Sequence, residues 1–134
     1  METYELETEL RTALIGNEEL MEILPNGERA IYHLVAPSTD PKKYPIIVYS
    51  PITDVPALSG DNREIAHRVT IRIHVIALQK RFGLEEEKFK AACRLVNKIM
   101  TGLNYVRQQT TSTVEDGKLI TVHEFARNII CWEE

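Results

Sequence analysis

The chain has 134 residues, 43% hydrophobic and 27% charged, a size and usage that fit one domain able to bury its own core without disulfide or metal staples. Its formal net charge of −4 argues against an electrostatic grip on nucleic acid or on an anionic membrane, while leaving room for a local basic stripe. No stretch reaches the ~20 apolar residues that a membrane-spanning helix requires.

The first segment, METYELETELRTALIG, places Leu6, Leu10, Ala13 and Leu14 at helical spacing, with acidic residues early, where they suit the positive end of a helix dipole. It has neither a basic n-region nor an apolar h-region, so it reads as an amphipathic helix and not as a signal peptide. Synthesis and folding in the cytoplasm are expected. NEELMEIL follows as a short second helical segment with Asn17 as N-cap, closed by Pro25, Asn26 and Gly27.

AIYHLVAP reads as a short strand or an irregular apolar segment, and PSTDPKK as a turn-rich connection. YPIIVYS is a strand whose nearly continuous apolar run predicts burial on both faces, with Pro45 at its start. The next stretch, PITDVPALSGDNRE, is dominated by Pro, Ser, Gly, Asp and Asn, and predicts a flexible loop over about residues 50–64. Loops that long inside small domains are either functional or disordered. Two readings stand side by side: a connector disordered in isolation, or a loop that orders on meeting a partner. On the second, Asp54, Leu58, Asp61, Asn62 and Arg63 are candidate protein-interface residues.

HRVTIRIHVIAL alternates Val69, Ile71, Ile73 and Val75 with Arg68, Thr70, Arg72 and His74, one face core and the other polar and cationic. A long helix is expected over about 84–102, lined by Phe89, Ala92, Cys93, Val96, Met100 and Leu103, with an acidic start, a basic end and Gly102 as terminator. Two final strands meet at Asp116-Gly117, a hairpin signal, and in the last one Ala126, Ile129, Ile130 and Trp132 need a bulge or a mixed environment. The order predicts one α+β domain: a mostly antiparallel mixed sheet with the N-terminal and long helices packed on one face.

Chemistry is sparse. The chain has no glycine-rich phosphate loop, GxSxG elbow or HExxH motif. His33, His67, His74 and His123 include no close pair of zinc-ligand spacing, and the seven-residue separation of His67 and His74 sends them to opposite faces of a regular strand. Cys93 and Cys131 read as reduced core thiols. Ser38 and Asp40 are turn chemistry, Glu85, Glu86 and Glu87 open a helix, and Glu124 lacks a named partner. Neither enzymatic activity nor a metal or cofactor is expected. The Arg68, Arg72 and His74 stripe is either the solvated side of the sheet or a face toward a channel or an acidic partner, multiplied if copies form a ring.

The succession of an amphipathic helix, AIYHLVAPSTDPKKYPIIVYS, a long crossing, HRVTIRIHVIAL, LEEEKFKAACRLVNKIM and two last strands resembles the tail completion proteins of long-tailed bacteriophages, the SPP1-like ones in particular. These are also called tail-to-head joining or tail terminator proteins. The resemblance runs from about residue 4 to residue 130 and rests on element order and patterning. It implies a subunit similar in fold to the tail terminator of phage lambda, assembled as a hexameric ring that caps the head-proximal end of the tail tube. One face of such a ring meets the tail tube protein, the other the head completion (connector) protein, and DNA passes through the lumen without specific binding. It implies a virion protein at the head–tail interface, present in the host cytoplasm during assembly. Like charges such as Arg68 and Arg72 oppose spontaneous ring closure and favour a monomer beforehand. The alternatives are a small cytoplasmic protein-binding module that uses the 50–64 loop, and an enzyme pairing His74 or His123 with Glu124.

Overall fold

The computed structural model describes residues 3–24, 27, 31–33, 45–60, 63–78, 82–115 and 117–130. Their elements run α1 (Thr3–Ile15), α2 (Glu18–Ile23), β1 (Ile31–His33), β2 (Ile46–Gly60), β3 (Arg63–Leu78), α3 (Phe82–Gly102), β4 (Val106–Glu115) and β5 (Lys118–Ile130). The strands form one sheet in the order β1-β2-β3-β5-β4. Only the β1–β2 pairing is parallel; the others described are antiparallel. The α+β class, with a mostly antiparallel mixed sheet, is as the sequence predicts.

Period-two alternation sets the two faces. Val69, Ile71, Ile73 and Val75 of β3 are buried. Their register partners on β5 are Arg127, Phe125, His123 and Thr121, and Ile47 and Tyr49 of β2 stand beside Val75 and Ile73. The helices cover this face. Leu6, Leu10 and Leu14 of α1, Leu20 of α2, and Phe89, Ala92, Leu95, Val96 and Met100 of α3 are buried in the same core. Cys93 and Leu103, expected in that lining, are partly buried at its margin, whereas Leu95 was not foreseen. Burying a side chain of this size contributes roughly 1.5–3 kcal/mol, so these positions hold the two layers together.

Asn17 caps α2, its Oδ1 accepting from the Leu20 N–H at 2.9 Å. At the far end of α3 the expected terminator, Gly102, is still helical. Asn104 ends the helix, with φ of 69°. The Tyr105 N–H reaches the Met100 carbonyl and the Asn104 N–H reaches that of Thr101, each at 3.0 Å. That is the paired hydrogen-bond pattern of a Schellman cap, with Asn tolerating the left-handed position. The expected basic end is also absent: no basic residue lies in the last turn of α3, because Lys98 falls just before it.

The largest departure lies at residues 50–64. The irregular crossing expected there is an antiparallel hairpin, continuous from Ile46↔Ile76 to Gly60↔Arg63. Register shifts at Pro51/Thr53, Pro56/Leu58 and Leu58/Ser59 interrupt the ladder. They explain how a proline-bearing segment stays a strand: bulges absorb the missing N–H groups. Moreover β1 pairs only with Ile47–Tyr49, so beyond those residues this arm is an edge among the described strands, where proline is tolerated. Of the two alternatives for the last strand, the mixed environment holds: its register with β3 is unshifted, and Ala126 and Ile129, on opposite faces, are both buried, while a bulge sits on the neighbouring β4, between Arg107 and Gln109.

Candidate interaction face

On the side of the sheet away from the helices, the register builds rows of side chains across the strands. One row runs Ser50, Arg72, Glu124 and Gln109, and the next runs Val48, His74, Val122 and Thr111. Arg72, His74, Gln109, Thr111, Val122 and Glu124 line an open depression of about 240 Å³. The three residues singled out as a cationic stripe, Arg68, Arg72 and His74, therefore share one face, as even positions of β3 must.

Glu124 is the centre of the polar contacts. Its Oε2 accepts from Arg72 Nε at 3.3 Å and from Gln109 Nε2 at 3.2 Å. Arg68 donates through Nη2 to Gln108 Oε1 at 2.8 Å, and the Gln108 amide is itself anchored to the Val106 carbonyl. Gln108 is the extra residue of the β4 bulge, so the irregularity of that strand places the partner of Arg68. The Arg72 side chain is 50% exposed. Among the described residues Glu124 engages only its Nε, so neither Nη group is tied to that carboxylate.

His74 lies deeper. Burial lowers its pKa from the ordinary 6.5, a backbone hydrogen bond with Val48 opposes that shift, and the Arg72 charge reinforces it. The imidazole is thus neutral near neutral pH, and its buried Nδ1 has no hydrogen-bond partner among the described residues. A buried polar atom without a partner is costly, so His74 is a weak point in the packing of this face.

His123 takes the opposite side. It is the register partner of Ile73, is only 3% exposed, contacts Thr110 Oγ1 through Nδ1 at 3.1 Å and stacks at 6.1 Å on Phe125. Pairing with Glu124 in one acid–base site is closed to it by strand parity, whereas His74 and Glu124 do share the depression. Among the described residues no group of three or more His, Cys, Asp or Glu side chains converges as a metal site, and no helix is long and apolar enough to cross a membrane.

The loop candidates fare differently. Asp54, Leu58 and Arg63 lie on the hairpin arms, opposite Val69, Ala66 and Gly60; Asp61 and Asn62 fall outside the described residues, as does Cys131. Sequence reasoning missed Gln108, Gln109 and Thr111, which it read as plain strand, and left Glu124 without a partner. The β3–β5 register, legible only once strands are paired, is what supplied one.

No protein-family model matches the chain, and no curated protein does. Among solved structures, its fold is similar to that of a chain in the virion of a native gene transfer agent (GTA) particle, with a TM-score of 0.66. The likeness covers 93% of this chain and 94% of that one at 16% identity, so what the two share is the fold.

Proposed function

We propose that this chain is a structural virion protein. The observation that carries the reading is the likeness just described, which spans nearly the whole of both chains. The polar face is consistent with it. Glu124, the one carboxylate among the described lining residues, is held by two donors, an arrangement suited to contact with a partner rather than to proton transfer. We take the protein to be non-enzymatic and without a cofactor.

In its finer form, the proposal is a tail completion protein that caps the head-proximal end of a tail tube as a hexameric ring. It meets the tail tube protein on one side and the head completion protein on the other, and it is a monomer before assembly. This part is supported by the sequence resemblance and by the cationic face, which would add a repeated stripe to any ring. The coarser claim has a direct test. Particles purified from cells that encode the chain are examined by quantitative mass spectrometry. A fixed small copy number per particle supports a virion component, and its consistent absence from infectious particles contradicts the proposal.

A further inference from the structure

The two edges of the described sheet are built differently. On one side β1 is three residues long, and the arm of β2 beyond it carries Pro51, Pro56 and three register shifts. Short edges, prolines and bulges are the devices by which a sheet refuses a further strand. β4, at the other edge, has a single bulge near its start. It is ten residues long, VRQQTTSTVE, without proline or glycine, and its charges stand near its ends, at Arg107 and Glu115. All ten residues are exposed. They include Thr110, Ser112 and Val114, whose register partners His123, Thr121 and Leu119 lie on the helix side of β5. The helix layer therefore stops short of this strand.

The bulge sets where the open stretch begins. Gln108, its extra residue, turns its amide onto the Val106 carbonyl at 3.0 Å, while over residues 109–115 the ladder with β5 is unshifted. Alternate residues of an antiparallel strand turn both N–H and C=O away from the neighbour. Among the described residues, no main-chain hydrogen bond reaches β4 from any segment but β5.

We propose that the edge at residues 109–115 takes up an extended segment of another protein as one more, antiparallel strand. The inference goes beyond the virion reading and does not rest on it. Charge and apolar surface select the occupant. Arg107 has no carboxylate partner among the described residues and stands at one end of the open stretch, with Glu115 at the other. An antiparallel strand that starts with a cation and ends with an anion meets both. Val114 is 53% exposed and lies across from the partly buried Leu119. β-Branched apolar residues at alternate positions of the incoming strand cover that side, and hydroxyl residues face Thr111 and Thr113 on the other. A second copy of this chain fits less well. A ladder over residues 109–115 spans about 23 Å, so a rigid body meeting it edge to edge buries roughly 200–300 Å² per partner, against the ~800 Å² of a standard interface. A flexible segment is not held to that area, because main-chain hydrogen bonds supply its affinity.

The test uses the full chain, isotope-labelled for amide chemical shifts and amide exchange, and a synthetic probe, acetyl-Lys-Val-Thr-Val-Thr-Val-Asp. Two further probes carry N-methyl groups on alternate residues, one on the odd positions and one on the even. The amides of residues 109–115 should shift and exchange more slowly with the parent probe. Because only alternate N–H groups of an added strand point at β4, one methylated probe should lose at least about tenfold in affinity and the other should stay within about twofold of the parent. Arg107→Glu should weaken the parent probe at least about threefold. Four results would each overturn the proposal: β4 amides unmoved at millimolar probe, equal losses from both methylated probes, an Arg107→Glu chain that binds as wild type does, or an edge already protected by self-association of the chain without probe.

Discussion

Arg72 on β3 and Glu124 on β5 are direct cross-strand partners, and their side chains close to 3.3 Å at the rim of the polar depression. The pair is asymmetric: the Arg72 side chain is 50% exposed and that of Glu124 only 20%. An ion pair open to solvent on its cationic side contributes little to folding. A double-mutant cycle with Arg72→Ala and Glu124→Ala should give a coupling energy below about 1 kcal/mol in urea denaturation. A coupling of several kcal/mol would mean that the pair is a structural clamp and not a contact surface.

The cap of α3 gives a sharper stability prediction. Asn104 holds a φ of 69°, a region in which an ordinary L-residue is strained by roughly 1–2 kcal/mol. Asn104→Ala should therefore destabilise the protein by about 1 kcal/mol, and Asn104→Gly should be neutral or slightly stabilising. Thermal melts of the two variants rank them, and equal losses in both would place the role of Asn104 in its side chain instead of its backbone.

Burial lowers the His123 pKa below its usual 6.5, with the Arg107 charge acting the same way. The unfolded chain thus binds a proton that the folded chain resists. The stabilisation is fully present above about pH 6.5 and is lost as pH falls through the lowered folded value. His74 adds to the loss in the same direction. The unfolding free energy from urea titrations should fall between pH 7.5 and 5, at up to about 1.4 kcal/mol per pH unit for each histidine. His123→Phe should flatten part of that slope whatever it does to the baseline; an unchanged slope would show that His123 does not resist protonation in the fold.

Cys93 sits on the inner side of α3, where burial pushes its thiol up to about 11 while Arg94 pulls only weakly the other way. In a Cys131→Ser background it should react with a thiol reagent at pH 8 much more slowly in the folded protein than in the urea-unfolded chain, because little of the thiol is ionised. Rapid labelling of the folded protein would mean that this helix face is accessible.

How much of this was legible in the sequence depends on how local each signal is. The alternation in β3, the α1 and α3 stripes, the Asn17 cap and the Gly117 turn, where φ is 74°, are carried by short-range pattern and were predictable. The hairpin arm at 51–60 was not, because its prolines and polar residues are turn-forming text, and only pairing along β3 makes them a strand. The same holds for the interaction face. Arg68, Arg72 and His74 announce themselves by alternation, whereas Glu124, Gln109 and Thr111 join them through a register that depends on β4 and β5 folding back. A bulge at Gln108 then shifts part of that register again. Asn104 was passed over because glycine is the commoner stop signal and Gly102 stood two residues earlier.

The measurement that bears most directly on the account is cryo-electron microscopy of purified tail tubes mixed with the protein, alongside tubes alone. The account predicts a ring of density at one tube end only, absent from the tubes alone, with capped tubes now able to join heads. Tubes unchanged by saturating protein, with the chain sedimenting apart from them, would contradict it.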